Sequence, residues 1–392
     1  MAAVGAVAFA CAAAAPAVAQ SPFEGSIHNH TAYSDGEPGT RPADVYAAVR
    51  ERGGDFAFST DHSDTFDLPI VTNANCLGPA LPQCAVADQQ NPGDSLRKWD
   101  ATAEQADAAN ADGAFTTVRG FEWTNDRHGH INVLYSQRYT NAKIDGGYVS
   151  MGFFWDWFTK PAAQGGGDDA LATFNHPGRR ELGELVPGGF IAPFTPDTEV
   201  EGSDWNAFAN VPAADARMVG MGLFNGSDYG DADANHPAGS YGEALDKGWH
   251  VGAVGAEDQH DTNWGVPVEP KTVILADALN RDAMRGALVA RRFYAVRQAG
   301  TRMTFTANGA PMGSRLSAAA GDPLAFEASS DVPGAALELV TSGGEVVATG
   351  AGSLSVTRPV AAGERWYFVR VRDADGQSVA YSSPVWVETA AG

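Results

Sequence analysis

The chain has 392 residues, of which 44% are hydrophobic and 19% are charged, as in an ordinary soluble globular protein with room for a large core and two domains. Its formal net charge is −22, and no Lys/Arg-rich stretch occurs anywhere. Nucleic acid is therefore excluded as an expected partner, because phosphate neutralisation needs clustered Lys and Arg.

Residues 1–19 form an apolar, Ala-rich stretch that ends in an A-x-A motif at residues 17–19. This pattern predicts a signal peptide and an exported protein, periplasmic or secreted. The basic start typical of such signals is missing, since no Lys or Arg precedes Arg41. An Ala-rich structural helix is the alternative interpretation. No other apolar run is long enough to predict a membrane span in the mature chain.

Two cysteines lie close together in the Pro/Gly-rich stretch CLGPALPQC, at Cys76 and Cys84. In an exported protein such a pair indicates a small loop disulfide. Two buried free thiols are the alternative.

From residue 23 to 300, β-type apolar runs alternate with helical patterns, which predicts a largely parallel α/β domain. The predicted strands are Gly25–His30, Asp55–Thr60, Phe115–Glu122, Ile131–Tyr135, Leu171–Asn175, Met218–Asn225, Val251–Gly255 and Thr272–Ala276. The predicted helices are Pro42–Arg52, Ser95–Ala111, Ser240–Lys247 and Leu279–Arg291.

Residues 301–392 change to short alternating runs separated by turns such as Asn308-Gly309 and Asp375-Gly376. This pattern predicts a small antiparallel β-sandwich as a second domain. It contains no His or Cys, so we expect it to serve packing, lidding of the first domain or oligomerisation rather than chemistry.

Seven of the nine histidines fall in short polar motifs placed just after the predicted strands. The motifs are His28-Asn29-His30, Ser34-Asp35-Gly36, Thr60-Asp61-His62, Gly120-Phe121-Glu122, His128-Gly129-His130, Asn175-His176-Pro177 and Glu257-Asp258-Gln259-His260. Imidazoles mixed with carboxylates suit Zn, Mn or Fe. In closed α/β barrels, reactive groups lie at the carboxyl ends of the strands. The series therefore predicts a multinuclear metallohydrolase on an α/β barrel.

In this order the motifs resemble the polymerase-and-histidinol-phosphatase (PHP) superfamily of metal-dependent hydrolases, and most of all its carbaryl-hydrolase-like branch. The resemblance covers residues 25–297, and the ending WYFVRVR with Ser382-Ser383-Pro384 is similar to a small C-terminal domain often attached there. It implies a distorted (β/α)7 barrel that holds two or three divalent metal ions.

The resemblance also implies which residues bind the metals. They are His28, His30, Glu122 and Asp258 for the first metal, Glu122, His130 and His176 for the second, and Asp35, His62 and His260 for the third. Asp35 stands where other branches have His, which points to a weaker third site or one that prefers Mn or Fe. His128 is an alternative to His130, which we prefer because it directly precedes the strand INVLY.

The leading functional hypothesis is hydrolysis of a small-molecule phosphoester by a metal-bridging hydroxide. Asp258 would also accept a proton as the nucleophile forms. Arg179 and Arg180 would hold the phosphoryl oxygens, Arg180 during the reaction itself, with surface solvation as their alternative role. Arg292 lies in a basic-aromatic element, Arg-Arg-Phe-Tyr, that resembles one near the family's substrate pocket.

Two other functions remain open at this point. The same metals could cleave a carbamate or a carboxylic ester, as the carbaryl-hydrolase-like resemblance implies. A non-catalytic exported metal- or glycan-binding protein is the third hypothesis.

Overall fold

A computed structural model describes residues 20–66, 97–144, 147–176, 205–206, 208–226, 228–229 and 236–388. Within these ranges the protein is a mixed α/β structure with many strands and few helices. Residues 1–19, Cys76 and Cys84 lie outside the described part, and the expectations for them stay predictions. No helix in the described ranges is long and apolar enough to cross a membrane.

The first twelve strands are β1 Ser21–Ser26, β2 Phe56–Ser59, β3 Thr116–Asn125, β4 Gly129–Leu134, β5 Lys143–Ile144, β6 Gly147–Tyr148, β7 Leu171–Phe174, β8 Met218–Asn225, β9 Asp228–Tyr229, β10 Gly252–Ala256, β11 Lys271–Ala276 and β12 Phe293–Val296. The remaining strands are β13 Met303–Ala307, β14 Ala310–Pro311, β15 Arg315–Ser317, β16 Pro323–Ser330, β17 Ala336–Thr341, β18 Glu345–Ala351, β19 Ser353–Pro359, β20 Trp366–Arg372, β21 Ser378–Ser382 and β22 Val385–Glu388. The α-helices are α1 Pro42–Glu51, α2 Lys98–Ala109, α3 Met151–Thr159, α4 Pro212–Asp215, α5 Gly239–Asp246 and α6 Arg281–Val289. Every strand and helix predicted between residues 23 and 300 overlaps an observed one, but α3, α4, β5, β6, β9 and β12 have no predicted counterpart.

The main sheet is mixed rather than largely parallel, which corrects the prediction. Strands β1, β2 and β3 are parallel neighbours, as are β7, β8 and β10, but β4 lies between β3 and β7 and runs antiparallel to both. The carboxyl ends of the parallel strands therefore share one edge of the sheet with the beginning of β4. This edge carries the predicted ligands.

The strand pairing of the described residues does not close into a (β/α)7 barrel. Between β10 and its neighbours β11 and β12, side-chain hydroxyls replace the backbone ladder. Thr272 Oγ1 accepts from Gly255 N at 3.1 Å and donates to Gly255 O at 2.9 Å. Ser383 Oγ donates to Phe293 O at 2.6 Å and accepts from Ala253 N at 3.3 Å. A Cβ on Gly255 would lie 2.3 Å from Lys271 O, so only glycine permits this approach.

Side-chain caps define the start of two helices. The Asn280 side chain accepts from Ala283 N at 2.9 Å and begins α6. Ser150 does the same for α3, whose Phe154 and Trp157 pack into the large aromatic core of the sheet. Helix α1 begins with Pro42, whose ring suits the first helical position.

The C-terminal residues form two layers. Strands β13, β14, β16 and β19 make one antiparallel sheet, and β17, β18, β20 and β21 extend the main sheet. The layers share a core that includes Phe305, Phe326 and Val369. Strand β12 pairs with β21, so the main sheet runs without interruption across the boundary that the sequence indicates near residue 300.

Arg291 is a structural residue in this fold. It is only 5% exposed, and its guanidinium donates to five backbone carbonyls, those of Asp215, Ala216, Met218, His250 and Val289. It therefore fastens the segment before β8 and the segment before β10 to the end of α6.

Arg291→Met should lower the free energy of unfolding by about 3 kcal/mol, because it leaves several buried carbonyls without donors. Denaturant unfolding measures the change, and metal content of the folded fraction should stay that of the wild type. A stability within about 0.5 kcal/mol of the wild type would contradict this role.

Candidate metal centre

The predicted ligands meet at the shared edge of the main sheet. His28 and His30 follow β1 and His62 follows β2, while Glu122 lies within β3. His130 reaches the same edge from the beginning of β4, because that strand is antiparallel. The others follow β7 (His176) and β10 (Asp258 and His260).

Glu122 is the centre of the cluster and is 1% exposed. Its two carboxylate oxygens face two sets of imidazoles. Oε1 lies 3.4, 3.3 and 3.2 Å from ring nitrogens of His28, His130 and His176. Oε2 lies 2.9 Å from His62 Nδ1 and 3.5 Å from His30 Nε2. This arrangement suits a carboxylate that bridges two cations.

The described residues contain three adjoining groups whose ligand atoms could hold a metal ion. They are His28, His30 and Glu122; Glu122, His130 and His176; and His30, Asp35, His62 and His260. The last group differs from expectation because it includes His30, which it shares with the first. Asp258 lies beside the first group, with Oδ1 at 3.4 Å from His28 Nε2 and 3.1 Å from His30 Nε2.

The donor set fits divalent cations. The Nε2 atoms of His28 and His30 lie 3.0 Å apart. If the lone pairs of both atoms face a bound cation, neither ring needs the other as a hydrogen-bond partner. Glu122 Oε2 and His130 Nδ1 are buried, and although each lies close to an oppositely charged side chain, neither contact has the geometry of a hydrogen bond. Buried polar atoms are normally satisfied, so these atoms favour a ligand. Imidazole and carboxylate donors suit Zn, Mn or Fe.

Two members of the cluster adopt backbone conformations that L-residues rarely take. His176 has φ 29° and Asp258 has φ 48°. Such conformations cost about 1–3 kcal/mol and concentrate at functional sites. Here they coincide with the ends of β7 and β10, where the chain turns each side chain into the cluster.

Asparagine amides hold the two carboxylates in place, a role that the sequence analysis did not assign. Asn175 Nδ2 donates to Glu122 Oε1 at 2.8 Å, and Asn225 Nδ2 donates to Asp258 Oδ2 at 2.8 Å. Both asparagines stand at the carboxyl ends of their strands, β7 and β8, and that position was the available signal.

Asp61 organises the loop that follows His30. It accepts from Thr31 N at 2.6 Å and from Ser34 Oγ at 2.7 Å. Ser34 Oγ in turn lies 3.3 Å from His30 Nδ1. Such indirect support orients a ligating imidazole.

Exposure increases across the cluster. Glu122, His28 and His30 are buried, while the side chains of Asp35 and His260 are 51% and 41% exposed. A substrate would therefore approach from the side of Asp35 and His260.

Three imidazoles carry raised pKa values in the metal-free state. Burial lowers the pKa of His62, but Glu122 and Asp35 outweigh it and raise the pKa well above its ordinary value. Burial lowers the pKa of His130, but Glu122 and Asp126 outweigh it and raise the pKa to about 9. Burial also lowers the pKa of His260, and Asp35 and Asp258 outweigh it and raise the pKa to about 9.

At pH 7.5, below the pKa values of His130 and His260, these two rings are protonated, whereas a metal ligand must be neutral. Adding Zn²⁺ to metal-free protein should therefore release at least about two protons per chain, with His62 as a further source, and the release from His130 and His260 should decline as the pH rises through 9. Titration in weakly buffered solution measures this directly. Metal binding at pH 7.5 without proton release would contradict the assignment of these two ligands.

The remaining predicted site residues of the described ranges lie outside the cluster. His128 lies in the turn before β4 and belongs to none of the three ligand groups, so the geometry favours His130. Arg179 and Arg180 lie outside the described residues.

Arg292 lies toward the opposite edge of the sheet from the ligand cluster, and its role in substrate binding stays a prediction. In the antiparallel pairs β1–β11 and β11–β12, Lys271 and Val296 lie toward the ligand edge, and Phe293 lies toward the opposite edge. Arg292 directly precedes Phe293, and its guanidinium donates to Ser314 Oγ at 3.3 Å.

Comparisons with known proteins add little to this geometry. The family described as "protein of unknown function (DUF3604)" matches residues 58–175, less than half of the chain. No curated protein matches. Among solved structures, the chain is similar to a two-domain protein from Bacteroides vulgatus that contains a predicted PHP-like metal-dependent phosphoesterase. The two share 16% identity over 93% of this chain and 95% of that one, with a TM-score of 0.45.

Proposed function

We propose that this protein is a divalent-metal-dependent hydrolase that cleaves a phosphoester of a small molecule. The observation that carries the proposal is the bridging position of Glu122, whose two oxygens face different sets of imidazoles. A carboxylate shared in this way keeps two cations within a few Å of each other, as two-metal hydrolases require. The order of the motifs along the chain supports membership of the PHP superfamily.

The proposed ligands are those of the three groups together with Asp258. Bound divalent ions would polarise a phosphoryl oxygen and lower the pKa of water. Asp258 is the proposed proton acceptor. Its side chain is 16% exposed, compared with 1% for Glu122, and it therefore borders the open side of the cluster. Its other oxygen, Oδ2, is held by Asn225, which keeps Oδ1 directed at His28 and His30.

Hydrolysis of bis-p-nitrophenyl phosphate by the purified protein tests this function. We expect turnover that disappears after chelation and returns when Zn²⁺ or Mn²⁺ is added. Turnover that persists in chelator-treated, metal-free protein would contradict the proposal.

Carbamate or carboxylic-ester hydrolysis on the same ligands is a second candidate. One observation favours it: Lys143, next to the cluster, is paired with Asp64 at 3.0 Å and with Asp126 at 3.5 Å, which offsets its positive charge. A neutral substrate would not need that charge. Metal-dependent turnover of 1-naphthyl acetate without any turnover of the phosphodiester would favour this candidate over the first.

A further inference from the structure

We propose that Asp126 is a positioning residue for His130, and that the β5–β6 hairpin holds Asp126 in the required orientation. Asp126 lies in the turn between β3 and β4, four residues before His130. The inference rests on the proposed metal binding and extends it to side chains that touch no ligand position.

The two nitrogens of His130 face different partners. Nε2 donates to Asp126 Oδ1 at 3.0 Å, while Nδ1 lies 3.3 Å from Glu122 Oε1 and is buried. A carboxylate that accepts from one ring nitrogen fixes the proton there and leaves the lone pair on the other. Asp126 therefore makes Nδ1 the ligand atom of His130.

Asp126 needs support to do this, because its side chain is 50% exposed and could turn toward water. The hairpin supplies the support through its two strands. Tyr148, in β6, donates its hydroxyl hydrogen to Asp126 Oδ2. Lys143, in β5, places Nζ 3.5 Å from the same oxygen. Both contacts leave Oδ1 facing His130.

Lys143 also connects this turn to a second ligand loop. Its Nζ lies 3.0 Å from Asp64 Oδ2, and Asp64 is two residues beyond His62. The hairpin thus contacts both the turn before His130 and the short helix after His62. A segment without ligands of its own sets the position of loops that carry them.

The test compares Asp126→Ala, Asp126→Asn and Tyr148→Phe with the wild type. Metal content by elemental analysis and Zn²⁺ affinity by chelator competition are the readouts, together with the visible spectrum of the Co²⁺-substituted protein. Asp277→Asn is the matched control, because Asp277 is exposed and follows β11 at the opposite edge of the sheet.

We expect Asp126→Ala to weaken one class of Zn²⁺ site by about 10–100-fold and to alter the Co²⁺ spectrum. Asp126→Asn keeps an acceptor but loses the charge, so its effect should be smaller. Tyr148→Phe should measurably weaken Zn²⁺ binding at the same class of site, and Asp277→Asn should leave the Zn²⁺ affinity unchanged.

An Asp126→Ala protein with the circular dichroism, Zn²⁺ affinity and Co²⁺ spectrum of the wild type would overturn this inference alone. A wild-type protein that binds no metal would instead overturn the proposed function. The two failures are therefore distinguishable.

Discussion

Replacing Glu122 with Gln is expected to abolish metal-dependent hydrolysis, with a loss of at least about a thousandfold in kcat/KM, or about 4 kcal/mol of transition-state stabilisation. The substitution conserves size but removes the negative charge that faces both sets of imidazoles. An amide also presents only one acceptor oxygen, so it cannot serve two cations. Bound metal should fall by at least one equivalent.

Glu257→Gln is the matched control for this variant. Glu257 is also buried, and it is paired with Lys271 at 3.0 Å, but it belongs to none of the three ligand groups. It should cost stability without changing the metal content of the folded protein. Elemental analysis and initial rates of hydrolysis for both variants separate the loss of a metal ligand from a general loss of stability. Activity of Glu122→Gln within tenfold of the wild type would refute the bridging role.

His130→Ala should remove one equivalent of metal and reduce kcat/KM by at least about a hundredfold, or about 2.7 kcal/mol. His128→Ala should retain the full metal content and most of the activity. The physical reason is placement: His130 Nδ1 faces Glu122 Oε1, whereas His128 belongs to no ligand group although only one residue separates the two.

This pair of variants is informative because both remove the same side chain from neighbouring positions. Metal content and rates measured side by side separate ligand loss from a general effect of losing an imidazole. The assignment fails if His128→Ala is the more damaging variant, or if both variants retain full metal content.

The ligand edge was predictable because most of its residues directly follow runs of apolar, β-type residues. His28, His62 and His176 each stand just beyond such a run, and parallel strands bring their carboxyl ends together. The run itself indicates a strand but carries no sign of its direction. For that reason the antiparallel β4, which delivers His130 from its first residues, could not be inferred.

The missing backbone pairing between β10 and its neighbours β11 and β12 could not be predicted from the sequence either. It depends on Thr272 and Ser383, whose hydroxyls satisfy backbone groups of β10 and β12 across a gap. No periodic pattern distinguishes these two residues from other polar residues in strands. The position of the ligands after predicted strands and the family resemblance both indicated a closed barrel, but the strand pairing of the described residues does not close.

Arg292 shows that a local motif does not fix the position of its side chain in the fold. A basic-aromatic run lies near the substrate only if the strand next to it places the run at the ligand edge of the sheet. The antiparallel pairing of β11 and β12 places the beginning of β12 at the opposite edge. The role of Asp126 was not predicted because its partners Tyr148 and Lys143 come from a short hairpin that has no hydrophobic periodicity.

Elemental analysis of the purified wild-type protein shows directly whether the cluster around Glu122 binds metal. We expect two or three equivalents of Zn, Mn or Fe per chain, retained after gel filtration. Less than one equivalent, even after incubation with these metals, would contradict this expectation, because the cluster around Glu122 would then be an ordinary network of buried ion pairs.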